Sequence, residues 1–257
     1  MPDTSLLSPF VVKLGGGLML DKDAFTLPPG AATQLQNFEP DINGGYRRIN
    51  GFTKYDSNQV GGSSTTILGV HIYKNQVIAS QGTAVYKGSG SGWTSIDTGR
   101  TSAGRYDFAN FNFNNTEKVI WCDGANSPSS YDNSSVTDLS SAPSDPEFVA
   151  IFKNHVFFSG MSTNPQEVVF SAPFDETDYT AASGAGSVRV DSAVKKLKVF
   201  RDRLFIFCED SIFFLAGSSV ADFQLQPVTR NIGCVDGFSV QEIAGDIVYL
   251  APDGLRT

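Results

Sequence analysis

Apolar and polar residues change places in short bursts along this chain. Five segments share one plan: an apolar strand, a two-residue polar turn, and a second apolar strand. They are VHIYKNQVIAS from Val70, FNFNNTEKVIWCDG from Phe111, VAIFKNHVFFSG from Val149, LKVFRDRLFIFCED from Leu197 and QEIAGDIVYLAPDG from Gln241. The turns read as Lys74-Asn75, Asn114-Asn115, Lys153-Asn154, Arg201-Asp202 and Gly245-Asp246. Asn, Asp and Gly tolerate the positive φ that tight hairpins require. A further turn and often a third strand follow, as in SQGTAVYKG, CEDSIFFLAG and APDGLRT. No copy keeps a helical rhythm, which excludes helical solenoids.

The copies recur roughly every 40 to 48 residues, a spacing typical of β-propeller blades. A β-sandwich is the alternative, since it also yields regular hairpins. The expected fold class is therefore all-β, a β-propeller of degenerate blades preceded by an extended N-terminal strap. Residues 1–66 read as the strap with its leading hairpin, and residues 67–257 as the blades. About 190 residues at roughly 43 per blade make four blades and a fraction. The last copy reads as unfinished: either the N-terminal segment supplies the missing strands or the natural polypeptide continues past Thr257, and the second is the expectation.

The leading segment has a different texture. LGGGLMLDKDAFTLPPGAATQLQNFEP carries turn signals and one expected short helix around Gly30 to Leu35, after a Pro-Pro start. NFEPDINGGYRRINGF, from Asn37 to Phe52, packs a turn (Asn43, Gly44, Gly45), two adjacent arginines and three aromatics into a short stretch, and GGYRRINGFTKYD reads as a hairpin that enters the repeat region. GGSSTT, Gly61 to Thr66, reads as a surface loop.

Composition narrows the function. Net charge is -8 and the pI about 4.7, which argues against a surface built to hold phosphates. Like-charge repulsion would instead let DNA pass without sticking. The three cysteines, Cys122, Cys208 and Cys234, are odd in number and match no zinc spacing, so they read as buried thiols. Cys122 and Cys208 fall at equivalent places near the end of a second strand, and His71 and His155 lie in or beside equivalent hairpins; such places serve packing. No stretch is long and apolar enough to cross a membrane as a helix. LLSPFVVKLGGG lacks the basic leader of a signal peptide.

The Gly-Gly-Leu start, LPPGAATQLQNFEP and GGYRRINGF, in that order, resemble the opening of the tail nozzle proteins of short-tailed phages, also called packaged-DNA stabilisation or tail tubular proteins. YLAPDGLRT is similar to a mid-chain blade of the same family. The resemblance implies a structural ring subunit, without enzymatic activity or cofactor, that extends the portal and adaptor channel, retains packaged DNA and conducts it on ejection. It implies copies of itself as partners, a hexamer by the family pattern. Head-to-tail adaptor, tail-fibre or tail-tip proteins and passing genomic DNA are the other partners, and the location is the virion, assembled in the host cytoplasm. Phe38, Tyr46, Arg47, Arg48 and Phe52 then become candidate assembly contacts. Pairing of the arginines with Glu39 and Asp41 is the local alternative, and DNA backbone a third.

Other chemistry is weak in the sequence. SIDTGRT, Ser95 to Thr101, matches part of the Asp-box turn of sialidase-like propellers, without the following aromatic, since Ser102 stands there. A glycan-binding or glycan-cleaving propeller is the alternative function; cleavage would need carboxyls such as Asp123, Glu167 and Glu209 to converge. GSGSG, Gly88 to Gly92, lacks the lysine and helix of a phosphate-binding loop. No Ser-His-Asp set and no metal-ligand set is assigned. The most basic run, VKKLKVFRDR, offers Lys195, Lys196, Lys198, Arg201 and Arg203 as candidate DNA or subunit contacts, against the ordinary reading of a strand edge guarded by lysines.

Overall fold

The computed structural model describes residues 15–42, 44–62, 65–101 and 104–257. Asn43, Ser63–Ser64, Ser102–Ala103 and the run up to Leu14 lie outside the described residues, and with them parts of the expected turn and loop and the position that follows the Asp-box motif. The chain divides into two compact units, Met1–Tyr55 and Asp56–Thr257.

Among its described residues the first unit holds four very short strands. β1 (Gly17–Leu18) pairs in parallel with β2 (Ala31–Ala32), and β3 (Phe38–Pro40) pairs antiparallel with β4 (Tyr46–Arg48). The helix expected around Gly30 to Leu35 is not formed. Ala31 and Ala32 are drawn instead into the pairing with Gly17 and Leu18, because Gly16 lets two backbones meet there; a Cβ on Gly16 would lie 2.6 Å from Ala31 N.

The second unit is a five-bladed β-propeller. Blade one comprises β5 (Ile67–Tyr73), β6 (Gln76–Gln81), β7 (Ala84–Gly88) and β8 (Trp93–Asp97). Blade two comprises β9 (Asp107–Phe113), β10 (Thr116–Cys122), β11 (Ser129–Tyr131) and β12 (Val136–Asp138). Blade three comprises β13 (Phe148–Phe152), β14 (His155–Ser159), β15 (Glu167–Phe170) and β16 (Gly186–Arg189). Blade four comprises β17 (Val194–Phe200), β18 (Arg203–Cys208), β19 (Ile212–Ala216) and β20 (Gln224–Thr229). Blade five has β21 (Gln241–Ile243), β22 (Asp246–Ala251) and β23 (Gly254–Arg256). Every blade is an antiparallel meander in chain order, and the first strands of blades one to four stand side by side.

The expected turns form where the side chains allow positive φ. Asn75, Asn115, Asn154 and Asp202 have φ of 61°, 69°, 68° and 62°. The fifth turn is corrected by one residue: it is Ala244-Gly245, with Ile243 paired to Asp246. Glycine supplies the second turn position there, so Asp246 is free to open the strand.

The core lies between blades. Tyr73, Ile78 and Val85 of blade one meet Val119, Trp121 and Tyr131 of blade two. Phe113, Ile120 and Cys122 meet Val149, Val156 and Phe158 of blade three. Phe157 and Phe170 meet Leu197, Leu204 and Ile206 of blade four, and Phe207 and Ile212 meet Ile247 and Tyr249 of blade five. An inner blade therefore has two covered faces. This explains why His155–Ser159, in the middle of its sheet, is buried at every position and reads as an apolar run without alternation. Each such Phe, Leu, Ile or Val stabilises the fold by about 1.5–3 kcal/mol.

Candidate functional site

The β3–β4 hairpin carries the candidate assembly residues. Asp41 N–H donates to Gly45 O, and Gly44 N–H donates to Asp41 O. Register places Glu39 opposite Arg47, and Arg47 Nε donates to Glu39 Oε1 at 2.7 Å with both side chains exposed. Of the local pairing expected for both arginines, that of Arg47 with Glu39 is present. Arg48 points elsewhere, into an open hollow of about 600 Å³ shared with Asn37, Ile49, Asn50, Gly51 and Phe52. The Tyr46 hydroxyl accepts the Gly17 N–H and ties the two small sheets of the unit together. Phe52 is 89% exposed, and Phe25 and Ile42 each 99%.

The basic run of blade four is dispersed. A β-bulge between Val194 and Lys196 resets the alternation, so Val194 and Leu197 both enter the core. Lys196 Nζ then reaches past blade three to Asp107 Oδ1 of blade two, at 2.7 Å. Lys196 also lies over the rings of Phe148 and Phe238, 5.4 and 5.1 Å from their centroids, and Arg105 covers the other approach to Phe238 at 4.9 Å. Asp107 Oδ2 further accepts the Val149 N–H at 3.1 Å. This cluster gathers residues at or near the starts of β9, β13 and β17. Glu147 beside it is raised above the ordinary carboxylate range by burial, against the pull of Lys195 and Lys196. Gly237 seals the bulge, since a Cβ there would collide with the Lys195 carbonyl.

The remaining basic residues differ in freedom. Arg201 Nη2 donates to Gly245 O at 2.6 Å and covers Phe200. Arg203 lies 4.3 Å over the Phe214 ring. Lys195 and Lys198 are half-buried. Lys196 therefore serves the interior, while Arg201 and Arg203 remain exposed at the hairpin of blade four.

Groups with chemical potential are held in structural roles. Cys122, Cys208 and Cys234 are buried free thiols. His155, 3% exposed, donates from Nδ1 to Ser171 O at 2.6 Å inside a nest of Phe157, Phe170 and Phe223. His71 stacks on Phe108 and lies 3.0 Å from Asn110 Oδ1. Asp123, 2% exposed, is saturated by Arg100, Asn126 and the backbone N–H groups of Ala125 and Asn126. Asp97 of the partial Asp-box motif pairs with Arg100 at 3.0 Å and so serves the same brace between blades. Among the described residues, no group of three or more His, Cys, Asp or Glu side chains could hold a metal ion.

One lining group had no signal in the strand pattern: Phe174, in the loop after β15, stands half exposed beside the turns of blades two and three. Its only trace in the sequence is a lone aromatic between proline and aspartate in SAPFDET.

No family model and no curated protein matches this sequence. Solved structures match its fold. The extracellular domain of BT4673 from B. thetaiotaomicron aligns over 85% of this chain and 31% of its own length, with 13% identity and a TM-score of 0.54. The computationally designed Ika8 protein aligns over 76% of this chain and 58% of its own length, with 12% identity and a TM-score of 0.51. The chain thus spans well under two thirds of each. At such identities the likeness speaks for the fold alone.

Proposed function

We propose that this chain is a structural subunit of a phage tail nozzle. Copies would form a ring that extends the portal and adaptor channel, retains packaged DNA and conducts it on ejection. Two lines support the reading: the resemblance over LPPGAATQLQNFEP and GGYRRINGF, and the form those residues take. The observation that carries it is the small first unit, which leaves Phe25, Ile42 and Phe52 bare, with Phe52 and Arg48 lining one open hollow. Apolar side chains so fully solvated in one small unit mark a surface made to be covered by another protein. Arginine and aromatic side chains are the residue types that dominate protein interfaces.

The test separates bracing from assembly. Arg47→Ala/Arg48→Ala should leave thermal melting of the subunit nearly unchanged, because exposed ion pairs contribute at most about 1 kcal/mol. Ile42→Ser/Phe52→Ser should do the same. Both double variants should lose incorporation into rings or particles, scored by electron microscopy and co-sedimentation. A collapsed melt with normal assembly of the folded remainder would make the hairpin an internal brace and sink the proposal.

A further inference from the structure

The inner turns of blades two and three border an open cleft of about 410 Å³, lined by Phe111, Asn112, Asn114, Asn115, Asn154 and Phe174. Its size lies within the range of small-molecule sites. Phe174 is its most unusual member. It has φ of +62°, a backbone conformation that aromatic residues avoid, and its side chain is 42% exposed. Both sides of its peptide are fixed: its N–H donates to Asn154 O at 2.8 Å, and its carbonyl accepts from Asn114 Nδ2 at 3.3 Å. Turns of two different blades therefore hold one aromatic ring out toward solvent. Backbone strain maintained in this way clusters at ligand sites. The Phe174 ring lies 6.1 Å from that of Phe111, which is itself wedged edge-on against Phe113 at 4.8 Å, so the platform is rigid.

The polar lining is uniform. The carboxamides of Asn112, Asn115 and Asn154 make no hydrogen bond among the described residues, and each offers two N–H donors and an acceptor. No charged side chain lines the cleft. An aromatic floor with free amides and no charge suits a ligand that is neutral, rich in hydroxyl or amide groups, and apolar on one face. A phosphate or carboxylate would find no cation. A peptide adding as a strand needs an open strand edge, whereas the lining backbone here belongs largely to turns. We propose that this cleft binds a neutral saccharide, one sugar ring lying on Phe174 and Phe111 with its hydroxyls shared among Asn112, Asn115 and Asn154. The site stands independently of the nozzle reading, because none of its residues belongs to the first unit.

Saturation-transfer NMR on the whole chain tests this with maltohexaose, cellohexaose, fully N-acetylated chitohexaose and galactohexaose, and with sialyllactose and inorganic phosphate as charged controls. At least one neutral oligosaccharide should bind. Phe174→Gly keeps the positive φ without a ring, and Asn154→Gly keeps the turn without an amide. Each should weaken binding about tenfold, the scale of a single ring or amide contact, with the melt unchanged or raised. Three outcomes overturn the assignment: no saturation by any of the four below about 10 mM, binding that both glycine variants leave unchanged, or preference for the charged controls.

Discussion

The side chains of Lys196 and Asp107 are 12% and 14% exposed, and each neutralises the other in a site walled by Phe148 and Phe238. Removing one partner strands a buried charge, which costs about 3–5 kcal/mol, whereas replacing both costs much less. Lys196→Met should therefore destabilise the propeller by about 3 kcal/mol in urea unfolding. Lys196→Met/Asp107→Leu should recover part of that loss, although the Val149 N–H then loses its acceptor. The thiols make a second, pH-dependent prediction. Burial pushes Cys208 up to about 12 and Cys122 well above its ordinary value, with Asp107 the next cause for Cys122. An unfolded thiol titrates near about 8.5. Above that pH the unfolded chain loses protons that the native state keeps, so stability is complete below about 8.5 and falls as pH rises toward 12. Melting followed from pH 7 to 10.5 should show this decline, and Cys208→Ala should make it shallower, with Cys122 keeping its own share, even if it lowers the melt at pH 7. Native Cys122 and Cys208 should resist an aromatic disulfide reagent until the fold opens. The equivalence of these thiols was legible in the sequence because both end the second strand of a hairpin. The partner of Lys196 was not, since it comes from another blade.

Strands and turns were readable where the rule is local. The Lys-Asn, Asn-Asn and Arg-Asp pairs give turns because their side chains accept the left-handed region, and four of the five turns stand where those pairs fall. The fifth moved because Gly245 outcompetes Asp246 for the second turn position. Asn75, at φ 61° in blade one, offers a clean test. Asn75→Ala should cost about 1 kcal/mol, the left-handed penalty of a side chain that cannot bond locally, while Asn75→Gly should be neutral within a few tenths. Equal losses in both would mean that the Asn75 side chain, and not its backbone, holds the turn. Parity along β17 was not readable. A strict alternation sets Lys196 with Val194 and apart from Leu197, but the bulge inserts one residue and brings Val194 and Leu197 to one face. Bulges answer to packing between sheets, which a period-two pattern does not contain. Phe174 escaped for the same reason: its place depends on two turns that meet only in the fold.

At the scale of the whole molecule, the blade period carried the fold because each blade repeats the same hairpin plan and packs apolar residues against its neighbour in sequence, and the five sheets follow the chain in order. The boundary of the leading segment rested on texture alone. The structure separates the units after Tyr55, ahead of the short turn at Val60–Gly62 that packs against β6 and β8 of blade one. All four inter-blade core clusters draw their residues from positions beyond that boundary. A chain of residues 56–257 should fold by itself, with a melting temperature within about 4 °C of the full chain, the shift that roughly 1 kcal/mol produces at this size. It should also lose any ability to enter rings or particles, since the bare aromatics and arginines of the first unit are gone. Circular dichroism melting and particle incorporation on the same preparation give both readings. A shortened chain that melts normally and still assembles would move the assembly surface onto the blades. One that fails to fold would show that the first unit is part of the propeller's own stability.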